Sequence, residues 1–477
     1  MLIDKALAGL ARNPTLPENL LRRLLHHREA CGEAAHRRTD LTEELADEIL
    51  AFDDDWRALS LACNRDLPPG TRLKLAAHSD DMVRGALASR AQGPHEEVFT
   101  RLADDPSATV RTELVKNDGT PPAVRGRLAD DPDPAVRAEL AQWWVEAPED
   151  VRRKLLTDED PSVRAAACST YFRRSPHPVP PADLHAALLA DPVTRAGVAR
   201  HVTLDPATAK ELAADPDEAV RKAFAAHPQL PPDLRDVLAQ DTSAPVRVEI
   251  FLREDASDEQ RAAIHEELRA GEDRIDTSFA VAEEDIGCQL ALIELTSRDI
   301  PWVTARPLPH VTSPYACFRR AAAGSDTLPA EAVERLLDDE DRDVRATMAA
   351  HTPALSPEAA ERVERRHRRN PELRGRPTDH FTFPAEALRR FATDPDPRMR
   401  ALAPRDPDLP PALAARLSAD EDVQVRLAVA AHPKLPVTAL LALVADTDEE
   451  ESVIRAAAGS PALPVTAMEE LLAEREL

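Results

Sequence analysis

Hydrophobic and polar positions repeat along this chain of 477 residues with a spacing of about 26 residues. The two clearest copies, which begin at Ala214 and Ala419, read ADPDEAVRKAFAAHPQLPPDLRDVLAQD and ADEDVQVRLAVAAHPKLPVTALLALVAD. A Val-Arg pair, an alanine run, His-Pro and Leu-Pro stand in register in both. The arginine recurs as Arg84, Arg111, Arg137, Arg164, Arg195, Arg221, Arg247, Arg345, Arg400, Arg426 and Arg455. A period between 20 and 50 residues is typical of a helical array.

Each copy predicts two short helices. An Asp-Pro pair begins the first, since Asp is a good N-cap and Pro a good first helical residue. Val220, Phe224 and His227 then share one helical face, and Pro228 ends the helix. A Leu-Pro pair begins the second helix, with Leu234, Val237 and Leu238 expected on its buried face.

Helices of about ten residues are marginal in water when they stand alone. They persist when the apolar face of one repeat is covered by the next, as in a solenoid. We therefore predict an all-α superhelical solenoid of helix pairs, α/α or α/3₁₀, with about fifteen to eighteen repeats. The repeats span residues 1–250, where the first two or three are degenerate, and residues 315–477. Residues 251–314 depart from the pattern, as degenerate repeats or as an insertion.

The repeat resembles the leucine-rich repeat variant (LRV) family. The shared pattern is Asp-Asp-Pro-x-x-x-Val-Arg-x-Ala-x-Ala-x-His/Asn-Pro-x-Leu-Pro, and it covers residues 80–250 and 320–470 well. The resemblance implies an array of alternating α and 3₁₀ helices, similar in style to HEAT repeats. One founding member of that family carries a cysteine-ligated iron–sulfur cluster. This chain lacks the clustered cysteines such a cluster needs, and no cofactor is expected.

Charge and composition narrow the classes of partner. The formal net charge is −26 and aromatic residues make up 3% of the chain. Nucleic-acid affinity depends largely on basic side chains, so nucleic acid is an unfavourable partner and a basic protein or peptide a favourable one. Five scattered cysteines, no signal-peptide pattern and no long apolar run indicate a cytoplasmic protein that is not in the membrane.

Two repeated polar positions invite functional interpretation. The recurrent arginine either pairs with acidic residues of the adjacent repeat or forms a row that grips an anionic ligand; the first interpretation is favoured because nearly every repeat carries it. Six residues after the arginine stands His or Asn, namely Asn117, His201, His227, His351 and His432, with Asn13 and Asn64 equivalent. Interchangeable Asn and His predict a helix cap rather than a metal or acid–base site.

Three local features are candidate sites. His26, His27, Cys31 and His36 lie close in sequence, but their loose spacing is weak support for a metal, and no metal site is predicted. Residues 361–376 concentrate seven arginines, which form either a partner-binding patch or a solvated face. The tryptophans, two of them adjacent as Trp143-Trp144, either anchor a partner or pack in the core. The predicted partner-binding residues are Arg362, Arg365, Arg366, Arg368, Arg369, Arg374, Arg376, Trp143, Trp144 and Trp302.

The usual phosphate-binding, hydrolase and metalloprotease motifs are absent from the sequence. We therefore expect a non-catalytic scaffold that presents an extended helical-repeat surface to a protein or peptide. The alternative is a helical-repeat enzyme or nucleic-acid-handling protein, similar to helical-repeat DNA glycosylases, that uses residues 251–314. The sequence does not specify the partner, the binding face or the oligomeric state.

Overall fold

The structure is a computed structural model. It describes the chain except residues 1, 94, 169–177, 278–282, 353–354, 368–375, 377–378, 380, 447–448 and 475. Every regular element among the described residues is a helix, as the repeat pattern predicts. Helices of a first type (A helices) alternate with helices of a second type (B helices) along most of the chain.

The A helices begin at the acidic end of each repeat. They are α1 Leu2–Leu10, α3 Arg28–Arg37, α5 Asp55–Ala62, α7 Asp81–Arg90, α9 Ala108–Lys116, α11 Pro134–Trp143, α13 Pro161–Cys168, α15 Arg195–Ala199, α17 Glu218–Ala225, α19 Ala244–Phe251, α21 Glu283–Ser297, α23 Ala316–Ala323, α25 Arg342–Ala350, α28 Pro397–Arg400, α30 Val423–Ala430 and α32 Glu451–Ala458.

The B helices mostly follow the proline-rich turn. They are α2 Glu18–Leu24, α4 Glu43–Leu50, α6 Pro69–Leu75, α8 Glu96–Ala103, α10 Pro122–Arg127, α12 Glu149–Leu156, α14 His185–Ala190, α16 Pro206–Ala213, α18 Pro232–Leu238, α20 Asp258–Thr277, α22 Pro301–Ala305, α24 Ala330–Leu337, α26 Pro357–Arg366, α27 Ala385–Phe391, α29 Pro411–Ser418, α31 Val437–Ala445 and α33 Val465–Ala473. Short 3₁₀ turns lie at Leu128–Asp130, Ala182–Leu184, Leu308–His310 and Ala403–Arg405. The pairs are therefore mainly α/α.

The chain forms two compact units, and each is a stack of A helices. The first unit holds Met1–Leu128, Pro371–Arg374 and Thr382–Leu477; the second holds Ala129–Asn370 and Gly375–Phe381. In the second unit the A helices from α11 to α25 pack each on the next. The buried faces of those from α13 to α23 form one continuous apolar core around residues such as Phe224 and Phe251. In the first unit α1, α3, α5, α7 and α9 pack in the same sequential way.

The two ends of the chain meet within the first unit. Helix α1 packs along α32, and Ala6, Ile454 and Ala458 form a small buried cluster between them. A Cβ atom at Gly9 would lie 2.3 Å from the carbonyl oxygen of Arg455, so only glycine allows this close approach. The N-terminal repeat therefore covers the helix face that the C-terminal repeat presents.

The segment of residues 251–314 keeps the alternation of helices but lengthens it. The B helix α20 has 20 residues and the A helix α21 has 15, against seven to ten in most other repeats. Helix α21 packs between α19 and α23, which is the position of an A helix in the stack.

Two local predictions are wrong. Val237 is 60% exposed, because the B helix buries Leu238 and turns Val237 outward. The aspartate of the Asp-Pro pair is not the N-cap in most repeats. In α17, for example, Asp217 caps the helix by accepting from the Ala219 N–H, whereas Asp215 stands two residues earlier and pairs with an arginine of the preceding repeat.

Candidate functional site

The recurrent arginine links each repeat to the next. Arg221 donates from Nε and Nη2 to the Asp241 carboxylate at 2.7 and 3.0 Å, and from Nη1 to the Asp215 carbonyl oxygen at 2.8 Å. The equivalent ion pairs are Arg84–Asp105, Arg137–Asp158, Arg164–Asp191, Arg195–Asp215, Arg319–Asp339, Arg400–Asp420 and Arg426–Glu449. The predicted pairing between adjacent repeats is confirmed, and we call this row the arginine ladder.

Each carboxylate of the arginine ladder is fixed on its own repeat as well. The Ser243 N–H donates to Asp241 Oδ1 at 2.8 Å, and Arg247 donates to the Asp241 carbonyl oxygen. Burial raises the pKa of the Asp241 carboxyl, but the hydrogen bonds from Arg221 and Ser243 outweigh burial, so the pKa lies below its usual value. The side chains of Arg221 and Asp241 therefore serve to hold adjacent repeats together.

The ladder changes its partners at the lengthened pair. Arg247 Nη2 lies 3.7 Å from the Cys288 sulfur, and its Nε lies 3.4 Å from the Glu267 carboxylate, instead of facing an aspartate. The ladder resumes at Arg319, which sequence analysis missed because Phe318 replaces the valine of the Val-Arg pair. The Ala-Ala-Ala-Gly run after it and the Leu-Pro at Leu328 were the signals that identify this repeat.

The Asn and His positions form a second row of contacts between repeats, which we call the cap ladder. Asn117 Nδ2 donates to the Ala88 and Ala91 carbonyl oxygens of the preceding repeat at 2.8 and 2.7 Å, while its Oδ1 accepts from the Gly119 N–H. Asn64 donates to Ala35 and Arg38 in the same way. Each side chain therefore caps the preceding A helix and its own turn together.

Histidine joins the same two repeats through its two ring nitrogens, with one carbonyl partner instead of two. Around His227, Nε2 lies 3.0 Å from the Val202 carbonyl oxygen and Nδ1 accepts from the Gln229 N–H at 3.0 Å. Because a carbonyl can only accept, this arrangement requires the neutral ring protonated on Nε2. His432 repeats the arrangement with Asp406 and Lys434. The predicted cap is confirmed at these positions, whereas His351 lies exposed.

Two arginines take the cap position in repeats that lack Asn or His, and sequence analysis missed them. Arg253 donates from Nη1 to the Ala225 and His227 carbonyl oxygens and pairs with Asp255. Arg38 makes the same contacts with the carbonyls of Ala11 and Asn13 and with Asp40. The signal is an Arg-x-Asp triplet spaced 26 residues from the neighbouring cap residue.

The described arginines of residues 361–376 are held in ion pairs within the chain. Arg362 contacts the carboxylates of Glu334 and Asp338 at 2.8 and 3.1 Å, and Arg366 also contacts Asp338. The remaining described pairs are Arg365–Glu361 at 2.7 Å and Arg376–Glu364 at 2.6 Å, the second of them buried. Arg368, Arg369 and Arg374 lie outside the described residues. Binding of a partner here stays a prediction.

The three candidate tryptophans are half-buried. Trp143 ends α11 and Trp144 is its C-cap. The Trp302 Nε1 atom donates to the Leu252 carbonyl oxygen at 2.9 Å, and its ring packs edge-on against His310 and Phe318. Trp302 therefore contributes to the interior of the lengthened segment.

The His-Cys cluster near the N-terminus is divided among structural roles. His27 caps α3 by accepting from the Ala30 N–H, His26 packs edge-on against Phe52, and Cys31 is fully buried. Burial raises the pKa of the Cys31 thiol to about 11. The part of the chain that the structure describes holds no group of three or more His, Cys, Asp or Glu placed to bind a metal ion.

The clearest candidate surface lies on α21. Ile286, Leu290 and Ile293 are 43%, 59% and 58% exposed. Their spacing of four and three residues places them on one face of the helix. Isolated exposed apolar residues are common, but an aligned set on one helix is typical of an interaction surface.

No family model matches the chain, and no curated protein matches it significantly. Within the described residues no helix combines the length and the apolar composition needed to cross a bilayer.

Proposed function

We propose that this protein is a non-catalytic scaffold whose helical repeats bind a protein or peptide partner. The observation that carries the proposal is the exposed apolar face of α21, made by Ile286, Leu290 and Ile293. It lies where the helix pairs depart from the common length, on a helix that the stack holds in place. Surfaces of this kind on repeat proteins serve as binding sites for other proteins.

The roles of the repeated polar side chains support binding over catalysis. A general acid or base must be able to exchange a proton with a substrate. His227 and His432 instead use both ring nitrogens to join adjacent repeats, and Arg221 uses its guanidinium for the same purpose. These side chains recur from one repeat to the next because they hold the array together.

We assign the repeats to the LRV type as part of this proposal. Support comes from the Val-Arg pair, the His-Pro or Asn turn and the Leu-Pro start of the B helix, all in one period. The B helices of this chain are mainly α-helical, whereas the LRV resemblance implies 3₁₀ helices there.

The proposed partner is basic and the proposed location is the cytoplasm. A net charge of −26 favours a basic partner, and scattered cysteines without disulfides suit a reducing compartment. The arginines of residues 361–376 are a second proposed surface, for an acidic partner region.

Crosslinking with affinity capture tests the scaffold proposal. The full chain is used as bait, captured proteins are identified, and each is purified and titrated against the purified chain by calorimetry. We expect at least one protein to bind with a defined stoichiometry. A chain that binds none of the captured proteins in purified form would contradict the proposal.

An Arg362→Glu/Arg366→Glu variant tests the second surface in the same titration. Loss of binding would assign the partner to the arginine cluster. Unchanged binding would remove that cluster from the proposed site.

A further inference from the structure

The exposed face of α21 is part of a helix with two distinct sides. Cys288, Ala291 and Leu295 are at most 4% exposed and face the core, whereas Ile286, Leu290 and Ile293 point away from it. The core of the second unit includes the first three and not the second three. The helix is therefore apolar on both sides, although its own neighbours cover only one. We call the exposed residues the α21 stripe.

Close packing and ion pairs fix the orientation of α21. A Cβ atom at Gly271 of α20 would lie 2.7 Å from the Cys288 sulfur, so the backbone of α20 lies directly against the Cys288 side chain. Arg274 of α20 contacts Asp285 at 2.7 Å, and Arg298 contacts Glu249 of α19 at 2.9 Å. The α21 stripe is thus presented by a rigid helix, which lowers the entropy cost of binding.

The segment that carries the α21 stripe is acidic. Residues 251–314 contain fourteen Asp and Glu against six Arg, and no Lys. Helix α20, which packs along α21, exposes Glu266, Glu267 and Asp273. Its two exposed arginines are each paired, Arg269 with Glu272 at 2.8 Å and Arg274 with Asp285.

The negative charge of residues 251–314 distinguishes among the partners that the α21 stripe could bind. A second copy of the chain would bring an equally acidic segment against this one, and an anionic membrane surface would also be repelled. A basic partner gains attraction from the same charges. An apolar stripe at i, i+4 and i+7 is the complement of an amphipathic helix laid along it.

From these observations we infer that the α21 stripe is the docking site of an amphipathic helix with basic residues flanking its apolar face. The inference rests on the proposed scaffold function and names the class of partner and its site. Apolar contact with Leu290 and Ile293 provides the affinity, and the acidic segment provides the selection for charge.

Fluorescence anisotropy with labelled model peptides tests the inference on the full chain. One peptide has leucines at i, i+4 and i+7 with lysines on either side, a second replaces the lysines with glutamates, and a third scrambles the first. The chain variants are Leu290→Gln/Ile293→Gln and a matched control, Val237→Gln, which changes an exposed valine on α18. Thermal melts verify that each variant is folded.

We expect the basic amphipathic peptide alone to bind, with affinity that falls as salt rises. The Leu290→Gln/Ile293→Gln variant should weaken this binding by at least about tenfold, because each side chain would otherwise be buried against the peptide. Val237→Gln should leave it unchanged. Equal binding of the acidic peptide, or full binding by the stripe variant, would overturn the inference.

Two further measurements test whether the α21 stripe instead binds a second copy of the chain or a membrane surface. Sedimentation equilibrium of the chain alone, with and without the stripe substitutions, would overturn the inference if it showed self-association through the stripe. Flotation with phosphatidylcholine–phosphatidylserine vesicles would do so if the stripe were needed for vesicle binding.

The inference and the scaffold function fail in different ways. A captured partner that binds the wild-type chain and the stripe variant equally would leave the scaffold function standing and remove the α21 stripe as its site. A chain that binds no captured protein contradicts both proposals.

Discussion

At the scale of single residues, the repeated polar side chains of this protein join one repeat to the next. The cap ladder uses Asn117 or His227 because both side chains accept from their own turn and donate to carbonyl oxygens of the preceding repeat. A buried donor or acceptor left without a partner costs about 1–3 kcal/mol, so these positions contribute to stability through the groups they satisfy.

The cap ladder predicts different outcomes for two substitutions of His227. His227→Ala leaves the Val202 carbonyl and the Gln229 N–H without their partner and should lower the free energy of unfolding by about 1–3 kcal/mol. His227→Asn should lower it much less, because asparagine supplies the same donor and acceptor at Asn117. Urea denaturation measures both. Equal destabilisation by the two variants would contradict the capping role.

The arginine ladder predicts that removal of one ladder carboxylate is costly. In Asp241→Ala the half-buried Arg221, whose side chain is 15% exposed, loses its carboxylate partner, and we expect a loss of about 3 kcal/mol in unfolding free energy. Asp233→Ala, at an exposed position of α18, is the matched control and should change stability by less than about 0.5 kcal/mol. A ladder variant as stable as this control would show that the ion pair contributes nothing.

At the scale of helices, the packing of A helix on A helix explains how such short elements persist. Alanine and glycine at the contacts let the backbones approach closely, and the apolar face of each helix is buried by its neighbour. The same packing joins the ends of the chain, where Asn13 donates to the carbonyl oxygens of Ala458 and Ser460 at 3.2 and 2.6 Å. Asn13 thus makes with the C-terminal repeat the same contacts that Asn117 makes with the repeat before it.

The contact of α1 with α32 predicts a local effect of a larger side chain at Gly9. Gly9→Leu should separate the two helices, because even a Cβ atom there lies 2.3 Å from the Arg455 carbonyl oxygen. We expect amide hydrogen exchange to accelerate in both helices. Gly126→Ala in α10 is the control; no atom lies within 4 Å of its added Cβ, and stability should rise by up to about 1 kcal/mol. Unchanged exchange in the Gly9 variant would contradict the tight contact.

At the scale of the whole molecule, the ion pairs of the arginine ladder act on stability together through pH. The pKa of the Glu449 carboxyl is lowered by the hydrogen bond from Arg426, and that of Asp191 by the hydrogen bond from Arg164. For a carboxyl whose folded pKa is depressed, the stabilisation is complete above the unfolded pKa and is lost as pH falls through the folded value.

The pH dependence of thermal unfolding tests how much the carboxylates of the arginine ladder contribute to stability. The melting temperature should begin to fall below about pH 6.5, because burial lowers the pKa of histidines such as His265 and His367 and the unfolded chain then binds more protons. It should fall more steeply below about pH 4, where unfolded carboxyls titrate. Asp241→Ala should fall less steeply than the wild-type chain because it has one ladder carboxylate fewer. Parallel pH profiles for the two chains would contradict a contribution from this pair.

Much of the fold follows from local sequence. Proline and the capping residues set where helices begin and end, and the 26-residue period requires stacking because a single repeat cannot bury its apolar face. The capping role of His227 could also be predicted from the sequence, since Asn replaces His at the same position of other repeats. These features depend on neighbours within one repeat or on the repetition itself.

The tertiary structure decided the features that depend on partners distant in sequence. It showed that Asp215 pairs across repeats while Asp217 caps the helix, a choice that local propensity does not make because aspartate suits both roles. It turned Val237 outward and placed α1 on α32, although 440 residues lie between these two helices in the sequence. The α21 stripe also emerged only there, because a helix with two apolar sides does not reveal in sequence which of them its neighbours leave uncovered.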